Sequence, residues 1–138
     1  MPHPLFAHFM KRADEVRDVA TLEWDVVPGF VLLRPHRDGA LGVHVEHHPG
    51  DPDELLVNFD APWAWVDDVE DEHTLDEILG TAIEGRLRVL HGPGRRALEH
   101  RSGAVWTSIT TSYDALVPLP RPGWRTRARV VDFLPYRA

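Results

Sequence analysis

The chain contains no cysteine, which excludes disulfides, thiol catalysis and thiolate metal sites and fits a cytoplasmic setting. No uncharged run approaches the roughly 20 apolar residues that a membrane helix needs, so no membrane association is expected. Met1–Met10 carries His3, His8 and two prolines without a compact apolar region, and does not read as a signal peptide. Catalytic signatures are missing as well. There is no Gly-x-Ser-x-Gly elbow and no Ser-x-x-Lys, and Ser102, Ser108 and Ser112 have no base identifiable from spacing. Gly92-Pro93-Gly94-Arg95-Arg96 lacks the Walker spacing and its Gly-Lys-Ser/Thr ending, so a turn explains it. Internal repeats, low-complexity tracts and linkers are absent too.

What is present is an ordinary globular composition. With 138 residues, 43% hydrophobic and 27% charged, the chain reads as one domain spanning 1–138, long enough to bury a core. Its net charge of −7 is unevenly spread. Residues 1–80 hold 18 acids against five bases, whereas residues 81–138 hold four acids against ten bases. Such an imbalance marks either a charged binding face or two halves that neutralise each other on folding.

Periodicity supplies the elements. Leu5, Phe6, Phe9, Ala13, Val16 and Ala20 recur at helical spacing after Pro4, predicting a helix over 4–20. Leu22, Trp24 and Val26 alternate with Glu23 and Asp25 as a short strand. Residues 30–34 and 41–48 flank Asp38-Gly39 and read as a hairpin, and 55–59 as a further strand. Thr74 and Glu77 have capping-box spacing, which starts a second helix near Leu75. Gly85 ends that helix and Arg86–Val89 alternates as a strand; the competing pattern continues the helix to His91. Strands follow at 95–101 and 104–112, then a proline-broken loop. The last strand, 125–134, would set Arg125, Arg127 and Arg129 on one face, with a bulge or strand end at Val130-Val131. The expected class is α+β, a mainly antiparallel sheet of about five to seven strands packed with two helices in the order α-β-β-β-α-β-β.

Three clusters are candidates for chemistry. His44, Glu46 and His48 alternate on a strand, so three potential ligands of a zinc or iron ion would share a face. Leu41, Val43 and Val45 opposite them make the same pattern that of a sheet with one wet face, and no cofactor is expected. Asp67, Asp68, Glu70, Asp71, Glu72, Asp76 and Glu77 place seven carboxylates within eleven residues, with no calcium-loop spacing. The helix dipole accounts for Asp76 and Glu77 but not for the whole run. Trp63 and Trp65 precede it and would point to one side, as core closures or as aromatic anchors with an acidic rim for a basic protein partner. The arginines at 125, 127 and 129 could track phosphates, but the acidic net charge opposes this and no nucleic-acid binding is expected.

The segment Leu55-Leu56-Val57-Asn58-Phe59-Asp60, then Trp63 and Trp65, the acidic loop, a short helix and the Arg86–Leu90 strand resembles small bacterial proteins, some of immunity type. In these a strand ending in a Gly-Phe-Asp-like triplet leads to a Trp/His turn and an acidic helix. Here Asn58 replaces the glycine, and Ala64 and Val66 stand where histidines occur; about forty residues are covered. The resemblance implies a non-enzymatic α+β protein, and the expected function is a protein-binding module of immunity or chaperone type. Its contact surface would be Trp63, Trp65, Asp67, Asp68, Glu70, Asp71 and Glu72. The alternative is a metal-dependent enzyme or metal-binding protein using His44, Glu46 and His48.

Overall fold

The computed structural model describes residues 4–25, 30–47, 55–60, 68–113 and 121–138. Their elements run α1 (Pro4–Glu15), β1 (Ala20–Asp25), β2 (Phe30–Pro35), β3 (Val43–His47), β4 (Leu55–Phe59), β5 (Asp68–Val69), α2 (Glu72–Ile83), β6 (Leu87–Gly92), β7 (Arg95–Ser102), β8 (Val105–Tyr113), α3 (Trp124–Arg127) and β9 (Arg129–Asp132). The class is α+β with antiparallel pairing throughout. The expected single sheet with two helices is corrected: the described residues form two sheets, β1-β2-β3-β4-β5 and β8-β7-β6-β9, with three helices. The cause lies at α2. The first sheet is a meander of consecutive neighbours, and the chain leaves it through α2 to begin a second meander, to which β9 returns beside β6. Alternation along a strand reports which face is buried, not which neighbour it pairs with.

Boundaries moved where local hydrogen bonds outcompeted periodicity. The first helix stops at Glu15, because the Val19 and Ala20 amides turn back to the Val16 carbonyl (2.9 Å each) and release Ala20 into β1. The second helix begins at Glu72 rather than near Leu75, because the Asp71 carboxylate accepts the Thr74 amide at 2.7 Å and is the N-cap. That backbone hydrogen bond holds the Asp71 carboxyl below its usual range. The expected hairpin is present: β2 and β3 pair antiparallel across a loop at 36–42 in which Gly39 takes a left-handed φ of +87°, and β3 starts at Val43 rather than at 41. Gly85 does end α2. It sits at φ +68°, the Arg86 amide reaches the Thr81 carbonyl at 2.9 Å, and β6 follows. A Cβ at Gly85 would lie 2.4 Å from the Pro135 nitrogen, so this turn is also where the C-terminal tail seats.

The expected strand over 125–134 is replaced by the single turn α3 and the four-residue β9, so Arg125, Arg127 and Arg129 do not form a stripe. Hydrogen bonds from the Trp124 amide to the Arg121 carbonyl and from the Thr126 amide and hydroxyl to the Gly123 carbonyl wind the chain there instead. The strand end expected near 130–131 falls at Asp132. The register shift lies in β8, where Ile109 is extra between the Leu98–Thr110 and Glu99–Ser108 pairs.

One apolar cluster joins the layers. Leu5, Phe9 and Ala13 of α1 and Leu75, Leu79 and Ala82 of α2 pack with the inner residues of the first sheet and with Leu87, Val89 and Leu98 of the second. Spacing of three and four on the helices and of two on β3 and β4 is what brings these side chains to a common interior. The tail after β9 closes it. Tyr136 is 2% exposed, its hydroxyl donates to the Leu41 carbonyl at 2.8 Å, and its amide donates to the Ile83 carbonyl at 2.9 Å. No described helix is long and apolar enough to cross a membrane.

Candidate functional site

The second sheet has two faces, and the one turned away from the core is not a simple wet surface. Antiparallel register places Arg101 beside Trp106, Arg88 beside Glu99 and Ser108, Leu90 beside Ala97 and Thr111, and Gly92 beside Arg95 and Tyr113. These residues alternate with the core-facing Leu87, Val89 and Leu98, so the period of two puts them on the outer side. Fourteen of the fifteen basic side chains in this protein are arginine, and four of them meet here.

Glu99 organises the face. Its side chain is only 8% exposed, and it accepts from Arg88 through Nε and Nη2 at 2.8 Å and from Arg125 Nη1 at 2.9 Å. Arg125 reaches down from α3 and also donates to the Thr111 hydroxyl at 3.3 Å. A buried carboxylate with one guanidinium would be a neutral pair; with two it leaves positive charge and holds both forks in place. Trp124 folds onto the hairpin end because Gly92 has no side chain: a Cβ there would lie 2.5 Å from the indole.

Aromatic rings continue the arrangement. The Arg88 guanidinium lies 4.1 Å from the Trp106 ring centroid and that of Arg101 5.8 Å from it. Arg95 is 5.3 Å from Tyr113 and 5.9 Å from Trp124, and Arg125 is 5.1 Å from Trp124. Each contact lies within the distance at which a cation is drawn to a ring face. The result is a row of arginines and aromatics linked through Glu99, running Trp106, Arg88, Glu99, Arg125, Trp124, Arg95 and Tyr113, with Asp132 on β9 beside Arg88 in register. On the opposite face His91 lies beside Arg96 and Arg129; burial, then those two cations, pushes its imidazole below the ordinary value.

The residues singled out from sequence are distributed differently. Trp63, Trp65, Asp67 and His48 lie outside the described residues, and Asp68 lends its backbone to β5 opposite Leu56. Glu70, Asp71 and Glu72 are exposed. Asp71 caps α2, Glu72 lies 4.0 Å from the His8 imidazole, and Asp76 pairs with His8 (2.8 Å) and Arg12 (3.0 Å) on α1. Part of the acidic run is thus committed to starting α2 and joining it to α1. His44 and Glu46 are half-buried on the outer face of the first sheet, with Val43 and Val45 opposite, and His44 Nε2 lies 3.1 Å from Asp60. Among the described residues no three His, Asp or Glu side chains are grouped to hold a metal ion.

Sequence reasoning missed Glu99, Arg88, Arg95, Arg101, Tyr113 and the role of Trp124. A usable signal was present in the alternation of Arg95, Ala97, Glu99 and Arg101, which sets three charges on one face of a strand whose other face holds Leu98. A separate concavity of about 200 Å³ lies between α2 and the second sheet, floored by Phe59, Ile78 and Ile109, with Glu77, Arg86 and His100 around it. Compared with protein-family models, curated proteins and solved structures, the chain matches none of them.

Proposed function

We propose that the chain is a non-catalytic protein-binding module, and that the arginine and aromatic face of the second sheet takes an acidic segment of a partner protein. The observation that carries this reading is the cluster at Glu99, which holds Arg88 and Arg125 in fixed geometry before any partner arrives. Pre-ordered guanidiniums lose little side-chain freedom on binding, and Arg, Trp and Tyr are the residues that dominate interface energetics. The rings of Trp106 and Trp124 already have guanidiniums over them, which disfavours base stacking, whereas guanidinium edges suit carboxylates. The mode of action that fits such a face is occlusion, as expected of the immunity-type proteins that the 55–90 segment resembles. This moves the contact from the acidic run to the basic sheet and reverses the charge of the partner.

Binding of a labelled polyglutamate peptide by fluorescence anisotropy tests the reading. The native chain should bind in a salt-sensitive manner, the Arg101→Gln/Arg125→Gln variant should not, and Glu70→Gln/Glu72→Gln should bind like the native chain. Preference for an oligothymidylate over polyglutamate would reassign the face to nucleic acid. Polyglutamate binding that survives Arg101→Gln/Arg125→Gln would remove it as the contact surface.

A further inference from the structure

Sheet edges present unpaired backbone donors and acceptors, and proteins blunt them with charge, proline or brevity. Of the four sheet edges among the described residues, three are blunted. β1 carries Glu23, β5 has two residues, and β9 has four with Arg129 and Asp132 among them. β8 is different: its nine residues, Val-Trp-Thr-Ser-Ile-Thr-Thr-Ser-Tyr, contain no charge and no proline, and Val105 and Tyr113 are 66% and 44% exposed. Among the described strands it is also the longest and stands at the edge of its sheet.

We infer that β8 pairs antiparallel with β8 of a second copy, making a two-fold dimer with one continuous eight-stranded sheet. The register follows from the bulge. Because Ile109 is extra, Val105, Thr107, Ile109, Thr110 and Ser112 face inward and Trp106, Ser108, Thr111 and Tyr113 outward. A two-fold axis between Ile109 and Thr110 sets Trp106 opposite Tyr113 of the second copy, Thr107 opposite Ser112, Ser108 opposite Thr111 and Ile109 opposite Thr110. Every pair then lies on a common face, so the irregularity that would spoil pairing with a regular strand matches itself. With no charge on the strand, the copies meet without repulsion. The outer face gains a row in the order Arg101, Trp106, Tyr113, Arg95, the last two from the second copy. Its two cation contacts at either end are already formed in the single chain, at 5.8 Å and 5.3 Å. This dimer does not depend on the nature of any anionic partner, and the two readings fail separately.

Sedimentation velocity on the 138-residue chain should give twice 15.7 kDa at high micromolar concentration. A nitroxide at Val105→Cys, in a chain with no other cysteine, should report a Cα separation of about 31 Å, from nine residues at roughly 3.4 Å along the strand and one interstrand gap. Thr107→Lys/Ser112→Lys places like charges opposite each other twice and should raise the dimer dissociation constant roughly tenfold or more, whereas Thr107→Lys/Ser112→Glu should restore it. A monomeric native chain, a dimer whose Val105 labels lie at another distance, or a Lys/Lys variant that dimerises like the native chain while retaining its circular dichroism would each overturn the proposal.

Discussion

Replacing Tyr136 by Phe removes one oxygen from the best-buried aromatic of the tail, and its effect can be worked through at two pH values. The hydroxyl donates to the Leu41 carbonyl at 2.8 Å inside the core. Its loss leaves a buried acceptor unsatisfied, so Tyr136→Phe should cost about 1–3 kcal/mol at pH 7. Burial also pushes the Tyr136 hydroxyl well above its ordinary value of 10.0, with the Asp60 charge adding to it. A group whose pKa is raised on folding lends stability that is complete below its unfolded value and is lost as pH rises towards its folded value. The unfolded native chain therefore gains a deprotonated tyrosinate above pH 10 that the folded one refuses, worth about 1.4 kcal/mol at pH 11. The phenylalanine variant has no such loss, and all other titrating groups are common to both proteins. Urea unfolding of the pair should show the native advantage at pH 7 reduced by about 1.4 kcal/mol near pH 11. Equal stabilities at pH 7, or a difference that does not change between pH 9 and 11, would refute this account of the tail.

Glu99→Gln should cost about 1.5 kcal/mol, the low end for charge-assisted hydrogen bonds because Arg88 and Arg125 can rehydrate, and should alter the fluorescence of Trp106 and Trp124; unchanged stability would mean that the two guanidiniums are held by something else. His91 should titrate below 6.5 in the folded chain when followed by its imidazole NMR signals. Because the unfolded imidazole takes up its proton first, stability should fall as pH drops below 6.5 and level off below the folded value. Burial being the main cause, Arg129→Gln should restore only part of the shift, and a His91 that titrates at or above 6.5 would remove the cause assigned to it.

Elements whose residues answer to their immediate neighbours were legible in the sequence. Leu41, Val43 and Val45 lie inside as their alternation with His44 and Glu46 implies, 55–59 is a strand as expected, and Gly85 ends α2 where its backbone freedom suggested. Asp71 was counted as one charge in an acidic run because charge counting does not ask which carboxylate lies three residues before a free amide. Arg125 was assigned to a strand because it alternates with Arg127 and Arg129, yet its partner Glu99 is 26 residues away and recruits it from a helical turn. The contact face was illegible for the same reason. Arg88, Glu99, Trp106 and Trp124 become neighbours only through β6, β7 and β8 pairing with one another, and register between strands is a tertiary property.

The tail also orders events in time. Arg137 holds Asp18 at 2.9 Å across 119 positions of sequence, Arg37 donates to the Pro135 carbonyl, and the Leu134 and Tyr136 amides bond to Gly39 and Ile83. During synthesis the first sheet can assemble by neighbouring hairpins as soon as it emerges, but its loop at 36–42 and the end of α2 wait for residues 133–138. A released chain truncated just short of Phe133 would therefore have both sheets laid down and their shared interior unsealed, the state in which a chaperone or a protease would find it.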